Sequence, residues 1–386
     1  MKFIIYTGVI FAPDRNAAAQ RANAFAAMIE RSGYIPVIIG MDERLPENTD
    51  ILSTRASFGS GMYYVSRYPA GATEWLRRIT DVSDIVKVIE HLKPQNIKAV
   101  IAMDFFSVAL LRLMRYCRKK RISLVVDTVD WFQKSKDPFP RNFVKDFDTC
   151  LRMNYVHKRA DRMITISRYL YDYYKKNVQK IVMIPGIVNG TFNDAQYDPQ
   201  SQLSIAFVGS PGPKCDKEKI DWLIKIVCGI NTHGNRVKFY IAGVDKNTLL
   251  TNRPDLAVFE QFDESVVCMG RISHSDCIDL IRKCDFATII REDTLLSKAG
   301  FPTKLGEAFQ CGTPVIVTPT SNISEYIPPT HGIVAGSCTY QATEDAILQA
   351  LELSAAKKKK MHDEVSAYNP LDASAFVQLF NSVIEE

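Results

Sequence analysis

At 386 residues the chain is too long for one ordinary hydrophobic core, which points to two domains of similar size. With 46% apolar and 24% charged residues it reads as a globular chain, neither disordered nor fibrous. The net charge of +5 suits an anionic ligand or membrane surface without demanding either, and no nucleic-acid partner is expected.

The N-terminal stretch "MKFIIYTGVIFAPDRN" has one Lys and a short apolar run, so it reads as a first β-strand and not as a signal peptide. No run of about eighteen uncharged apolar residues suggests a membrane span. "NAAAQRANAFAAMIERSG" reads as an Ala-rich helix closed at Gly33, and "IPVIIG" as the next strand. The stretch 52–75 carries no readable pattern. "IKAVIAM", a basic helix over 107–120, "ISLVVDTVD" and "ADRMITIS" continue the alternation of strands and helices. Between 183 and 202 the periodicity is lost in a segment rich in Asn, Gly, Pro and Gln, the best linker candidate. The pattern restarts with "LSIAFVGS", "VKFYIAGV", "SVVCMGRI", "CDFATIIR" and "TPVIVT". Strands separated by helices predict parallel sheets covered on both faces. The fold class is therefore α/β, with two doubly wound, Rossmann-like halves and ligand sites at the carboxyl ends of their strands. Nine cysteines, an odd number without a Cys-x-x-Cys pair, argue against a disulfide framework or structural zinc, and fit a reducing cytoplasm.

"AGFPTKLGEAFQCGTPVIV", residues 299–317, carries the most chemistry. Pro302 suits the first helical position, Gly312 closes the helix, and Pro314 prevents its continuation. The uncapped N–H groups and the positive end of the macrodipole then favour a phosphate before Thr303, with Lys304 adding a full charge. Glu307 lies a turn deeper, where a carboxylate accepts vicinal hydroxyls such as those of a ribose. Phosphate and ribose together suggest a nucleotide.

On these motifs the chain resembles the family 4 nucleotide-sugar glycosyltransferases, which have the GT-B fold of two Rossmann-like domains facing a central cleft. "IAFVGSPGPKCDK", "VVCMGRISHSDCIDLIRKCDFATIIRED" and the 299–317 stretch resemble the family's donor half; "MITISRYLYDYYKK" with "VMIPGIVNG" resembles the hinge side of its first domain. The Pro-Thr-Lys form of the donor helix is similar to that of capsule, exopolysaccharide and O-antigen enzymes. The resemblance implies an acceptor domain over 1–185 with a crossover helix at about 370–386, and a donor domain over 186–369. It implies retaining transfer of a sugar from a nucleotide diphosphate to a glycan or lipid-linked acceptor, with no cofactor and no metal in the site. Glu307 is then assigned to the ribose, and Thr303 and Lys304 to the diphosphate. Gly209, Ser210 and Lys214 belong to the donor loop, and Lys214 neutralises the leaving diphosphate, with Arg291 or Arg271 as its partner.

The chain also departs from the family. Ala299 stands where the first Glu of the donor motif belongs, leaving the backbone of Gly300 and Phe301, or Glu292 and Asp293, to bind the donor sugar. No His follows the strand "ISLVV"; Asp127 and Asp130 stand there, with Asp130 assigned over the sugar and Asp127 on the acceptor side. Arg21 is expected to face the cleft. His157 reads as a structural or surface residue, and His274 as part of a helix start. Asp146-Phe147-Asp148 matches a three-letter metal motif by chance. The cations at 110–122 and the "KKKK" at 357–360 read as solvated helix ends; contact of the first run with an anionic membrane, peripheral at its inner face, is the other reading. Two further functions stay open: a sugar-nucleotide epimerase of the same fold, and a nucleotide-sugar-binding partner without catalysis.

Overall fold

The computed structural model describes residues 2–11, 16–131, 139, 141–190, 197–212 and 218–385. Its contacts divide the chain into two compact units. The first comprises Met1–Asn189, Lys298–Phe301 and Asp372–Glu386; the second, Gly190–Ser297 and Pro302–Leu371.

In the first unit the strands are β1 (Phe3–Thr7), β2 (Ile35–Asp42), β3 (Ala56–Phe58), β4 (Gly61–Arg67), β5 (Ile97–Met103), β6 (Ser123–Thr128), β7 (Arg162–Thr165) and β8 (Lys180–Met183). They form one sheet in the order β3-β4-β2-β1-β5-β6-β7-β8. All pairs are parallel except β3 with β4. The central strands are covered on both faces, which is why they read as continuous apolar runs. The helix Ala17–Arg31 starts where the Asn16 side chain accepts from the Ala19 N–H at 2.9 Å, and ends before Gly33 at φ 80°. Phe25 on that helix meets Phe380 of the C-terminal helix Val377–Ile384 edge-on at 6.0 Å. The tail thus completes the core of this unit.

Residues 52–75 are more ordered than their sequence suggests. They hold β3, β4 and the start of the helix Gly71–Arg78. An antiparallel edge hairpin is half-exposed on both faces, so it carries neither an apolar run nor a clean alternation.

In the second unit β9 (Leu203–Val208), β10 (Val237–Ala242), β11 (Val266–Gly270), β12 (Phe286–Ile289), β13 (Val315–Val317) and β14 (Gly332–Val334) form a fully parallel sheet. Its order, β11-β10-β9-β12-β13-β14, is that of the dinucleotide-binding sheet, reversing direction between β9 and β12. Phe207, Phe239 and Phe286 are fully buried at its centre.

Of the Lys run at 357–360, Lys357, Lys359 and Lys360 are solvated near the start of a helix, as expected, but Lys358 is not. The run lies inside the helix Ala355–Ala367, and Lys358 is buried, pairing with Asp285 at 2.8 Å and donating to the Gln200 carbonyl. Asp285 also accepts from the Ser204 N–H and hydroxyl and from Tyr197, so it ties the start of β12 to β9. Among the described residues no helix is long and apolar enough to cross a membrane.

Candidate functional site

In each unit the residues with unspent chemistry gather at the carboxyl end of the sheet, at the point where strand order reverses. In the second unit that point lies between Gly209, which follows β9, and Arg291, which follows β12. The helix Thr303–Gln310 begins beside them, and no side chain caps its N-terminus. Pro302 is the N-cap and not the first helical residue: its fixed φ of −74° fits a helix, but its ψ of 112° is extended. Gly312 closes the helix at φ 72° as expected.

The sequence reading missed Glu218, which organises this end. Its carboxylate is buried and accepts from Arg291 Nη2 at 2.8 Å on one oxygen and from Lys304 Nζ at 2.9 Å on the other. Burial alone would raise the Glu218 carboxyl; Lys304 and Arg291 outweigh it and hold the group below its ordinary 4.5. Glu218 stands in a Pro- and Lys-rich loop, and only the fold brings it between cations 73 and 86 residues away. The Arg291 backbone is fixed by Thr318, whose hydroxyl accepts from its N–H and donates to its carbonyl, each at 2.8 Å. Lys304 Nζ also lies 3.9 Å from the Phe207 ring centroid.

Gly209 makes room for Lys304. Its φ is +131°, and a Cβ there would stand 2.7 Å from Lys304 Cε and 2.9 Å from Nζ. Ser210 is exposed beyond it, and Thr303 is half-buried at the helix start. The Glu307 carboxylate makes no hydrogen bond to any described residue, and burial raises it above the usual range, partly opposed by Lys304 and His274. Arg271 is exposed after β11, and Lys214 lies outside the described residues. Gly300 and Phe301 are buried and grouped with the first unit, where the preceding Ala299 carbonyl accepts from Ser167 Oγ at 2.6 Å.

In the first unit Arg21 and Asp127 are spent on each other. Arg21 is 2% exposed and Asp127 fully buried, and the fork donates to both carboxylate oxygens at 2.8 Å. Arg21 also donates to the carbonyls of Ile184 and Pro185, and Tyr6 donates to Asp127 at 2.5 Å. The pair, expected at the acceptor, instead fastens the ends of β1, β6 and β8. Asp148 likewise caps the helix Ser107–Lys120, accepting from the Ser107 N–H at 2.8 Å and hydroxyl at 2.6 Å. His157 is structural and buried: burial first, then Arg152, hold its imidazole neutral. His274 opens a helix capped by Ser273, as expected.

Asp104, also absent from the sequence reading, follows β5 at φ 49°. One of its carboxylate oxygens is buried without a hydrogen bond, and Arg152 stands 3.9 Å away. Burial raises its carboxyl to about 7, with Asp130 and Asp127 adding to the shift and Arg152 opposing it. Its only sequence signal was position, an acid directly after an apolar strand. Asp104 lines a cavity of about 470 Å³ at the carboxyl ends of β1, β2, β4 and β5. Among the described residues no cluster of three or more His, Cys, Asp or Glu has the arrangement of a metal site.

Residues 202–353, all but a few of them in the second unit, match the family described as Glycosyl transferases group 1. No curated protein matches the chain by sequence. Among solved structures it is similar to the catalytic domain of starch synthase IV from Arabidopsis thaliana bound to ADP and acarbose. That likeness has 9% identity and a TM-score of 0.70 over 99% of this chain and 98% of that one. It is similar also to a UDP-forming α,α-trehalose-phosphate synthase from Burkholderia xenovorans, at 12% identity and TM-score 0.68 over 100% and 99% of the two chains. Anabaena HepE in complex with UDP and glucose is similar at 14% identity and TM-score 0.62, over 98% of each chain. These likenesses establish the GT-B fold, and with the family match they support a glycosyltransferase.

Proposed function

We propose that the protein is a retaining glycosyltransferase that takes its sugar from a nucleotide diphosphate and passes it to a glycan or lipid-linked acceptor in surface-polysaccharide assembly. The observation that carries the donor half is the end of the helix Thr303–Gln310. An uncapped N-terminus, the cations Lys304 and Arg291, and the unbonded carboxylate of Glu307 lie together in one unit. The N–H groups of Thr303 and Lys304 and the two cations receive the diphosphate; Glu307, deeper by a turn, receives the ribose hydroxyls. As the bond from the anomeric carbon to phosphate breaks, the charge developing on the diphosphate meets donors already in place. The acceptor hydroxyl adds on the face the diphosphate leaves, and its proton passes to the departing phosphate oxygen. On that account no side-chain base is required, and we expect activity to persist in chelator. The surface-polysaccharide role rests on the Pro-Thr-Lys form of the donor helix.

Glu218 favours a second reading. It cancels one of the two positive charges, leaving Lys304, Arg291 and Glu218 with a net charge of about +1, before Glu307 is counted, for a ligand of charge about −2. A protein that binds a nucleotide sugar without transferring it would tolerate that loss. A thermal-shift panel of UDP, GDP, ADP and dTDP, followed by donor hydrolysis in water, separates the two. A shift that Glu307→Ala abolishes, with slow release of free sugar, supports the transferase. A shift with no turnover supports the binding protein, and no shift with any of the four refutes both.

Contact with an anionic membrane, if the acceptor is lipid-linked, has better support from the helix Arg141–Leu151 than from the basic run. Phe143 and Phe147 are 64% and 60% exposed on that helix and stack at 6.4 Å, whereas Arg112, Arg118 and Lys120 bind Thr80, Asp161 and Glu90. Sedimentation with anionic vesicles, lost in Phe143→Ser/Phe147→Ser, tests it.

A further inference from the structure

The cavity beside Asp104 has the volume of a small-molecule site, about 470 Å³ where ligand pockets span about 300–1,000 Å³. It opens where the strand order of the first sheet reverses, between β1 and β5. Its walls select a kind of ligand. Among the described residues they carry six carboxylates against four cations, and three of those cations are already committed to wall carboxylates. Arg67 pairs with Glu74 at 3.5 Å, Arg77 with Asp81 at 3.9 Å, and Lys87 with Asp50 at 3.7 Å.

Arg78 is the fourth cation, and it has no carboxylate within ion-pair distance among the described residues. Its guanidinium lies 5.1 Å from the Tyr68 ring centroid and 5.9 Å from that of Phe106. One guanidinium among surplus carboxylates does not compensate a phosphate dianion, whose usual seat converges several cations and N–H groups. It does suit a neutral polyol, to which it donates from a fixed fork while carboxylates accept hydroxyl protons. Asp104 is built for that exchange. Its Oδ1 is buried and turned towards Arg152 at 3.9 Å, outside the cavity wall, which leaves the other carboxylate oxygen to accept from a ligand. The Phe106 ring, already a cavity wall, supplies an apolar surface for the C–H face of a sugar.

We propose that this cavity seats the sugar unit of the acceptor, that it takes an uncharged, hydroxyl-rich glycoside, and that it excludes sugar phosphates. Asp104 accepts a hydrogen bond from a sugar hydroxyl, and Arg78 donates to a second oxygen. The assignment of the bound sugar as an acceptor rests on the glycosyltransferase reading; the selectivity of the cavity does not.

The test is saturation-transfer NMR on the full chain without nucleotide. The probes are the methyl glycosides of glucose, galactose, mannose and N-acetylglucosamine, together with glucose 6-phosphate and fructose 6-phosphate. At least one methyl glycoside is expected to bind, the sugar phosphates are not, and Asp104→Asn should weaken the bound glycoside tenfold or more. Arg78→Gln, further from the strained turn, serves as the second variant, and circular dichroism checks that both fold. Tighter binding of a sugar phosphate than of its parent sugar overturns the proposal, as does binding of no glycoside or binding unchanged in both variants. UDP titration of the same samples keeps the two readings apart. Glycoside binding without nucleotide binding sinks the donor assignment alone, whereas nucleotide binding without glycoside binding sinks this one alone.

Discussion

The ammonium of Lys304 donates to the buried carboxylate of Glu218 across 2.9 Å. This contact gives the second unit's site its charge, because the same carboxylate also holds Arg291. Glu218→Gln keeps the shape and removes the charge. With Lys304 and Arg291 only 21% and 14% exposed, the loss at neutral pH should be about 2–3 kcal/mol, below the roughly 3–5 kcal/mol of a fully buried broken pair. The Glu218 carboxyl is held below 4.5, so its stabilisation is fully present above that pH and is lost as pH falls through the lower folded value. Urea denaturation between pH 3 and 7 should therefore show a shallower acid limb in the variant. The freed cations should also bind a nucleoside diphosphate several-fold more tightly by calorimetry. Weaker binding would mean that Glu218 positions Lys304 and Arg291 more than it neutralises them.

Gly209→Ala tests the same contact from the other side. The new methyl would meet Lys304 at 2.7 Å in a backbone at φ +131°. Gly190→Ala is the control, since Gly190 also has a positive φ, +75°, but nothing within 4 Å of a built Cβ. Both variants should lose about 1 kcal/mol or more from backbone strain. Only Gly209→Ala should also lose nucleotide affinity, tenfold or more, as Lys304 leaves its place. Equal affinities in the two would separate Lys304 from the phosphates.

Glu307 is assigned to the ribose, and that assignment has its own signature. A hydrogen bond to a charged group is worth roughly 1.5–3 kcal/mol, so Glu307→Ala should cost about 10- to 100-fold in nucleotide affinity. The 2′-deoxynucleotide should bind the unaltered protein more weakly by a similar factor, and the variant no more weakly than the ribonucleotide. Additive losses in that cycle would place Glu307 away from the 2′-hydroxyl.

The alternation of strands and helices was legible because parallel strands buried on both faces announce themselves as apolar runs; β1, β5, β9 and β12 all do. The hairpin of β3 and β4 was not legible, since a half-exposed edge has no such run. In the candidate donor site, Lys304 and Glu307 drew notice in the sequence because a helix start, a cation and an acid lie within a few residues of one another. Glu218 and Asp104 did not. Their roles come from partners brought in by other strands, and a lone acid in a loop looks the same whether it is solvated or clamped. Arg21 and Asp127 misled for the converse reason: charges beside a strand end suggest a ligand, and here each found the other.

Arg21 provides a direct measure of that distinction. Its fork binds both oxygens of Asp127 and the carbonyls of Ile184 and Pro185, a geometry that a lysine does not reproduce. Arg21→Lys should lower the denaturation midpoint in urea, and Arg21→Met should cost about 3–5 kcal/mol by stranding Asp127. Arg21→Met/Asp127→Leu should recover much of that loss. A role in acceptor binding would instead raise KM in Arg21→Lys at unchanged stability.

Asp104 makes stability and function pull in opposite directions. Its carboxyl rises from an ordinary 3.8 to about 7 on folding, with burial as the first cause. The folded chain therefore holds a proton that the unfolded chain has released between those two values. Stability from this group is fully present below about pH 4 and is lost as pH rises through about 7. Asp104→Asn carries no such ionisation, and asparagine tolerates the left-handed backbone at φ 49°. The variant should match the unaltered protein in urea at pH 4 and exceed it at pH 8, by a few kcal/mol at most. Binding of a neutral glycoside should move the other way, weakening tenfold or more. A variant less stable at pH 8 would show that the Asp104 carboxylate, with Arg152 at 3.9 Å, is a structural ion pair and not a group held ready for a ligand.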